Sequence, residues 1–467
     1  MAKEKLKAGS VIDGYRVHEL LHTGGMAFLW KVSRESDGAT FLMKTPVLYD
    51  GEDPAAIVGF EMEQMIMPRL SGPHVPRFEG SGDFTNQPYI VMEKLEGQSL
   101  LPRLKTLPLS AEEVAGLGAK IADAAESLHR QRVIHLDIKP SNVMFRAGGE
   151  AVLIDYGLSR HLDLPDLMAE EFRLPYGSAP YMAPEQVLGI RHDPKSDLFA
   201  IGALMYFLAT GERPFGDPQR LKGLKKRIWW DPVPPRAMKA DIPEWLQEII
   251  LRCLEVRSSL RHASAAQLAH DLRNPSQTQL TARAKRVSRS GFFATLKRKS
   301  ELPESLIDRA PERTAGLADA PIVAVSIDTE TAPAELQMSM RETAARILKR
   351  SPQTRVACLN VLKMSRMVID SSIDERGDNK HINRIVALKD WARPLELPDG
   401  HVTFHVLEAV DVANAVLEYA RANNVDHIVM GARANSMTRK VLGSVSGKVA
   451  AEAPCTVTVV RNRDPAG

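Results

Sequence analysis

Four polar side chains with complementary chemistry lie close together in the middle of this chain. The segment His135 to Asn142 holds a carboxylate at Asp137, an ammonium at Lys139 and an amide at Asn142, and a second carboxylate follows at Asp155. Asp137 can accept a hydroxyl proton, and Lys139 can neutralise a phosphoryl group in transfer. Asn142 and Asp155 offer the oxygen ligands that hard cations prefer. This set indicates phosphate chemistry supported by magnesium.

Short apolar runs on either side of these residues predict the strands that position them. Val133-Ile134 and Val143-Met144-Phe145 flank the first segment, and Ala151 to Ile154 is a β-like run that ends at Asp155. Short strands that end in polar loops hold functional side chains on a rigid scaffold. An ordinary pair of turns is the simpler alternative, but turn chemistry does not require this order of polar residues.

The composite resembles the catalytic loop and the metal-binding turn of eukaryotic-like protein kinases, which read H-R-D-L-K-x-x-N and D-F-G. The resemblance implies that Asp137 orients and deprotonates the acceptor hydroxyl and that Lys139 contacts the transferred phosphate. It also implies that Asn142 and Asp155 bind Mg²⁺. Leu136 stands where the family has arginine.

Composition and charge exclude several other classes of protein. The chain has 467 residues, of which 44% are hydrophobic and 25% charged, as is typical of a globular protein of two or three domains. A net charge of +3 gives no general affinity for nucleic acid. The longest apolar run, Leu198 to Ala209, is too short to span a bilayer, and the N-terminus lacks the apolar core of a signal peptide. With three scattered cysteines, these features predict a cytoplasmic protein with no membrane span.

Before the catalytic segment, the chain has the pattern of a small antiparallel sheet with a glycine-containing turn. Residues 11–49 alternate short apolar runs with turns, and one turn contains Gly24 and Gly25. Glycines between strands let backbone N–H groups approach phosphates, although a plain hairpin has the same pattern. A strand then ends at Lys44, which a glutamate on a packed helix could hold toward phosphates.

This region resembles the N-terminal lobe of protein kinases, with a strand from Tyr89 to Leu95 as the hinge between lobes. The resemblance implies an ATP site formed by Leu21, Gly24, Gly25, Leu29, Lys44, Glu63 and the backbone groups of Glu93 and Leu95. His22 and Ala27 replace two loop glycines, and Leu42 replaces a small alanine that would face adenine. Glu61 is the alternative to Glu63 as the helix glutamate.

The stretch Asp155 to Glu185 resembles the activation segment of the family. Ser178 takes the place of the usual threonine, whose hydroxyl helps to position the catalytic aspartate and lysine. We expect two architectural contacts: an ion pair of Glu185 with Arg261, and a brace from Asp197 to the backbone of the catalytic loop.

A basic linker is predicted over residues 274–318. From Ser276 to Ser300 there are seven Lys or Arg residues and no Asp or Glu. Such a run is usually solvated, and docking on an acidic surface is the alternative.

Residues 319–462 alternate strands and helices, which predicts a parallel sheet flanked by helices. This part resembles a universal stress protein domain, and a dimer through this domain is one of the expected partners. The family's nucleotide loop is altered here, because Ala434 replaces its second glycine and Gly443 follows after a shorter spacing. ATP binding by this domain is therefore left open.

Together these patterns predict an α+β bilobal protein kinase fold over residues 10–273, followed after the linker by an α/β parallel-sheet, Rossmann-like domain. The expected function is ATP- and Mg²⁺-dependent transfer of phosphate to Ser or Thr of a protein substrate, regulated by the C-terminal domain. The alternative is a pseudokinase scaffold that senses nucleotide with little turnover. We expect neither nucleic acid nor a membrane among the partners.

Overall fold

The computed structural model describes residues 6–24, 27–47, 54–289, 317–364, 373–374, 379–432 and 443–461. Within these ranges, none of the helices combines the length and hydropathy needed to cross a bilayer.

The N-terminal lobe is an antiparallel sheet with one long helix. Its six strands run in the order β1-β2-β3-β4-β6-β5. They are β1 Val11–Ile12, β2 Tyr15–Thr23, β3 Ala27–Arg34, β4 Thr40–Pro46, β5 Phe78–Gly82 and β6 Tyr89–Glu93. Helix α1, Pro54–Ile66, continues into a 3₁₀ turn, Met67–Arg69. The strands alternate between two faces, so Phe41 and Met43 of β4 join a cluster on one face while Leu42 and Lys44 lie on the other.

The second lobe is mainly helical. Its helices are α2 Ala111–Arg130, α3 Leu167–Glu171, α4 Pro184–Val187, α5 Lys195–Thr210, α6 Leu221–Leu224, α7 Pro235–Met238, α8 Glu244–Cys253 and α9 Ala265–Arg273. Its short strands are β7 Gly97–Ser99, β8 Val133–Ile134, β9 Val143–Arg146, β10 Ala151–Leu153 and β11 Arg160–His161. Helix α2 begins with a capping box, in which Ser110 and Glu113 bond each other's backbone N–H. Helix α5 is buried almost throughout.

The C-terminal domain has the expected parallel sheet, in the order β14-β13-β12-β15-β16. Its strands are β12 Ile322–Ser326, β13 Arg355–Lys363, β14 Val402–Ala409, β15 His427–Gly431 and β16 Thr456–Val460. Its helices are α10 Ala334–Arg350, α11 Lys380–Ala392, α12 Val412–Ala422 and α13 Ser444–Glu452. Helix α11 was not predicted from the sequence, although Ile382, Ile385 and Leu388 have helical spacing and are buried.

Helix α1 is enclosed on all sides. Ten of its thirteen residues are buried, including both glutamates, Glu61 and Glu63. One continuous cluster of buried apolar side chains joins α1 to residues of the C-terminal domain such as Val323 and Val406. A helix that is apolar all round is typical of a buried core helix. The C-terminal domain therefore covers part of the surface of α1, and the kinase-like lobes cover the rest.

The first part of the predicted linker lies against the kinase-like lobe and is not simply solvated. Arg283 pairs with Glu248 at 2.9 Å and with Glu255 at 2.7 Å, and Arg286 pairs with Asp231 at 2.7 Å. The alternative of docking on an acidic surface therefore holds for this part. Residues 290–316 lie outside the described residues.

Candidate active site

A buried carboxylate fixes the backbone of the loop that carries Asp137. The two side-chain oxygens of Asp197 accept hydrogen bonds from the backbone N–H of His135 at 2.9 Å and of Leu136 at 2.8 Å. Leu136 has a φ of 61° in the left-handed region, which a bulky residue adopts at a cost, so the loop needs this support. The predicted brace is confirmed.

The carboxylate of Asp137 is surrounded by three donors. Lys139 Nζ lies 2.7 Å from Oδ2 and Asn142 Nδ2 lies 3.1 Å from the same oxygen. The backbone N–H of Ser178 donates to Oδ1 at 2.9 Å. The contact from the activation segment is therefore made by the backbone N–H, where the resemblance implied the hydroxyl. Held in this way, Asp137 keeps one orientation beside Lys139.

A second cluster of charges joins the N-terminal lobe to the turn at Asp155. Lys44 Nζ lies 2.6 Å from Glu63 Oε2 and 2.8 Å from Asp155 Oδ1. Burial works against the ammonium, but the two carboxylates raise the pKa of Lys44 above its usual value. Burial also opposes ionisation of Asp155, yet Lys44 lowers the pKa of that carboxyl. Both contacts favour an ammonium that is fixed between α1 and the turn at Asp155.

Glu61, the alternative helix glutamate, lies on a different side of α1. Its Oε1 is 2.8 Å from Lys389 Nζ in the C-terminal domain. Since residues two apart on a helix point in different directions, one helix presents Glu63 to Lys44 and Glu61 to Lys389.

The other residues expected around a nucleotide lie along the upper strands and the hinge. Leu29 is directly opposite Lys44 in the β3–β4 ladder, and Leu21 of β2 is 45% exposed. The N–H of Gly24 donates to the carbonyl of Ala27 at 2.9 Å. Gly25 lies outside the described residues.

At the hinge, the backbone N–H of Glu93 donates to the carbonyl of Arg77 at 2.8 Å. The Glu93 carboxylate pairs with Arg146 of β9, which lowers the pKa of that carboxyl. Leu95 follows β6 and is half-buried. These contacts fix the hinge between the two lobes.

The end of the activation segment is held by a buried ion pair. Arg261 contacts both oxygens of Glu185, at 2.6 Å and 2.8 Å, as expected. A bidentate pair of this kind fixes the relative orientation of the two side chains in addition to pairing opposite charges.

Two protein families match successive parts of this chain. Residues 15–272, more than half of the chain, match the protein kinase domain model. The chain belongs to the protein kinase family. Residues 299–461 match the universal stress protein family model. The expected fold class is confirmed: a kinase domain followed by a universal stress protein domain.

Several serine/threonine-protein kinases are relatives of this kinase. A probable one from Clostridium perfringens is 28% identical over 261 residues, 55% of this chain and 38% of that protein. Serine/threonine-protein kinase PknB of Mycolicibacterium smegmatis is 28% identical over 275 residues, 56% of this chain and 42% of that protein. The chain thus spans about two fifths of the length of these relatives. The crystal structure of the Mycobacterium tuberculosis PknI kinase domain, 21% identical, covers 58% of this chain and 99% of its own, with a TM-score of 0.45.

Protein kinases in general use ATP and Mg²⁺, and Asn142 and Asp155 fit a magnesium ion in chemistry. Asn142 donates its amide N–H groups to Asp137, and its side-chain oxygen accepts from the Ser141 hydroxyl at 3.2 Å. An amide oxygen has two lone pairs, so one is left for a cation. Among the described residues, no three His, Cys, Asp or Glu side chains are grouped to hold a metal ion. Two protein oxygens plus nucleotide phosphates are the ligands that Mg²⁺ takes in such sites.

Contacts between the kinase domain and the C-terminal domain were not anticipated from the sequence. They involve α1 and the activation-segment helix α3, and Glu170 of α3 is almost fully buried against Arg355. The only sequence signal was the all-round apolar character of α1. The altered nucleotide loop of the C-terminal domain, residues 433–442, lies outside the described residues.

Proposed function

We propose that this kinase transfers the γ-phosphoryl group of ATP to a serine or threonine hydroxyl of a protein substrate. The observation that carries the proposal is the unbroken chain Glu63–Lys44–Asp155, with contacts of 2.6 Å and 2.8 Å. The Asp137–Lys139 pair, whose contact is 2.7 Å, is the second group of charges on which the proposal depends. Phosphoryl transfer depends on positioning and charge more than on covalent chemistry, and these groups supply both.

Each residue has a separate task in this proposal. Asp137, oriented by Asn142 and Ser178, accepts the proton of the substrate hydroxyl as that oxygen attacks phosphorus. Lys139 neutralises charge on the transferred group, and Lys44 binds the inner phosphates. Magnesium, when bound, neutralises charge on the phosphate oxygens.

Six further positions complete the proposed nucleotide site. Leu21 and Leu29 would cover the base, Gly24 and Gly25 would let the turn approach the phosphates, and the hinge backbone at Glu93 and Leu95 would meet the adenine edge. The substitutions His22, Ala27 and Leu42 weaken this site in our proposal without removing a charged group.

The test is transfer of labelled γ-phosphate to a generic protein substrate by the full chain, beside Asp155→Asn. We expect magnesium-dependent label on Ser or Thr with the wild type and a loss of at least a hundredfold with Asp155→Asn. Asp241→Asn, at a side chain that is 77% exposed, is the matched control and should retain activity. Equal transfer by wild type and Asp155→Asn would trace the activity to a contaminant. No transfer by the wild type, with ATP still bound, would favour the pseudokinase alternative.

Family membership implies a protein substrate in general terms. The type of residue that is phosphorylated, serine or threonine, belongs to this proposal. We also propose that the C-terminal domain regulates transfer. The cytoplasmic location and the dimer through that domain stay predictions from sequence; gel filtration of the full chain tests the dimer.

A further inference from the structure

We propose that the C-terminal domain holds the kinase site in its ion-paired arrangement, with Lys389 and Arg355 as positioning residues. Lys389 acts through Glu61 of α1, and Arg355 acts through Glu170 of α3. The inference rests on the proposed function, since it assigns these residues a part in the same transfer reaction.

In the first contact, Lys389 lies against the side of α1 that carries Glu61. Its ammonium lies 2.8 Å from Glu61 Oε1, where the two side chains are 20% and 9% exposed. The same ammonium lies 5.3 Å from the ring centre of Phe84 in the kinase domain and 5.7 Å from that of Phe404 in β14. Partly buried ion pairs and cation–π contacts are stronger than exposed ones. Lys389 therefore contacts Glu61 and Phe84 of the kinase domain and Phe404 of its own domain at the same place.

The position of α1 decides whether Lys44 has its partner. Glu61 and Glu63 lie two residues apart on α1, so a rotation or outward shift of the helix would break both ion pairs together. Phe84 reinforces the link, because its ring packs edge-on against Phe60 of α1 at 5.9 Å. Loss of Lys389 would thus act on Lys44 through the helix.

The second contact seats the activation segment. Glu170 of α3 receives two hydrogen bonds from Arg355, at 2.6 Å and 3.2 Å, and one from the Tyr419 hydroxyl at 3.1 Å. His405 lies 3.1 Å from Glu170 and 3.3 Å from Glu171. Helix α3 lies between Asp155 and Glu185 in sequence and also contacts α1.

Opposite charges face each other in this cluster. Two carboxylates, Glu170 and Glu171, face the guanidinium of Arg355 and the imidazole of His405. Burial acts to lower the pKa of His405, but its hydrogen bonds to the two carboxylates raise it to about 9. Burial, with Glu61 and Glu408 nearby, raises the pKa of Glu171. A buried ion pair contributes little net stability, yet removing one member is costly. The cluster therefore favours one position of the C-terminal domain against α3.

The docked arrangement is the competent one. A C-terminal domain that inhibited the kinase through α1 would displace Glu63 from Lys44. Here that contact is 2.6 Å with the domain docked. The proposal is accordingly that docking supports transfer and that undocking lowers it.

The test is a charge exchange between the domains in the full chain. We expect Lys389→Glu and Glu61→Lys each to lower kcat on the order of tenfold or more, with a smaller change in KM for the protein substrate. The double variant Glu61→Lys with Lys389→Glu should recover most of the loss. Lys349→Glu, at an exposed position near the end of α10, makes the same change of charge away from the interface and should leave kcat unchanged.

A second measurement does not depend on activity. Hydrogen exchange of the α1 amides should be faster in each single variant and return toward wild type in the double variant. If the wild type transfers no phosphate, the proposed function fails while this measurement still tests docking. Unchanged kcat and unchanged exchange in Lys389→Glu, with an active wild type, would overturn the inference alone.

Discussion

Gly59 of α1 lies directly against Gly157 of the turn that follows Asp155. A β-carbon on Gly59 would come within 3.2 Å of the Gly157 carbonyl oxygen, and one on Gly157 would meet the Gly59 carbonyl at the same distance. Both neighbours are backbone atoms, so they cannot turn aside. The helix that carries Glu63 and the turn that carries Asp155 are thus in contact through two residues without side chains.

We predict that Gly59→Ala lowers kcat by about tenfold although alanine favours helix formation, since the helix must retreat and lengthen the Glu63–Lys44 contact. Gly116→Ala in α2, where an added β-carbon meets nothing within 4 Å, is the matched control and should leave kcat unchanged. Steady-state kinetics on both variants checks this. Full activity of Gly59→Ala would show that α1 tolerates the shift.

Leu42 is predicted to weaken ATP binding. It lies on the same face of β4 as Lys44, opposite Met92 in the ladder, where the family has a smaller residue. We expect a KM for ATP toward the upper part of the usual range, up to about 1 mM, and a lower KM in Leu42→Ala. Leu260→Ala, at an exposed site in the second lobe, is the control. A higher KM in Leu42→Ala would mean that Leu42 packs usefully against adenine.

The kinase is predicted not to need phosphorylation of its activation segment. Leu136 has no charge for a phosphate to neutralise, and the segment 155–185 has no threonine. Ser159 is fully buried and donates to the carbonyl of His135 at 3.1 Å, while Ser178 contacts Asp137 through its backbone.

Asp166 already supplies a fixed anion in this segment. Its carboxylate lies 3.0 Å from Arg160 and 2.9 Å from Arg191. Burial acts to raise the pKa of Asp166, but these two guanidinium groups lower it below its usual value. Enzyme treated with phosphatase should therefore keep its rate within about twofold. A large loss that maps to a phosphorylated residue between 155 and 185 would contradict the prediction.

Stability of the full chain is predicted to fall as pH rises, through His405. Hydrogen bonds to Glu170 and Glu171 outweigh burial and raise the pKa of His405 to about 9, while the charge of Arg355 and the Tyr419 hydroxyl also face this cluster. A raised pKa gives stability that is fully present below about pH 6.5 and is lost as pH rises through 9. The full effect is on the order of 3 kcal/mol.

Chemical denaturation of wild type and His405→Gln at several pH values measures this effect. The wild type should lose stability between pH 6.5 and 9, and the variant should show a flatter profile over that range. His270→Gln, at an exposed histidine of α9, is the control and should keep the wild-type slope. Parallel profiles for wild type and His405→Gln would contradict the prediction.

Motifs that resemble the protein kinase family were sufficient for the kinase fold, and the alternation of strands and helices was sufficient for the parallel C-terminal sheet. The capping box of α2 is also visible in the sequence, because Ser110 and Glu113 lie one turn apart. The resemblance to the family favoured Glu63 over Glu61, and Glu63 is the glutamate that contacts Lys44. The catalytic set was predictable because its members lie in two short loops.

Only the tertiary structure decided how the two domains meet. Glu170 and Arg355 are 185 positions apart and each, taken alone, has the pattern of a solvated charge. Docking of Arg283 on Glu248 was equally hidden, since nothing local says which acidic surface a basic run will meet. Pattern arguments depend on period and neighbours, whereas a buried ion pair depends on two distant elements that the fold brings together. The enclosed helix α1 was the one local sign that a second surface covers the kinase.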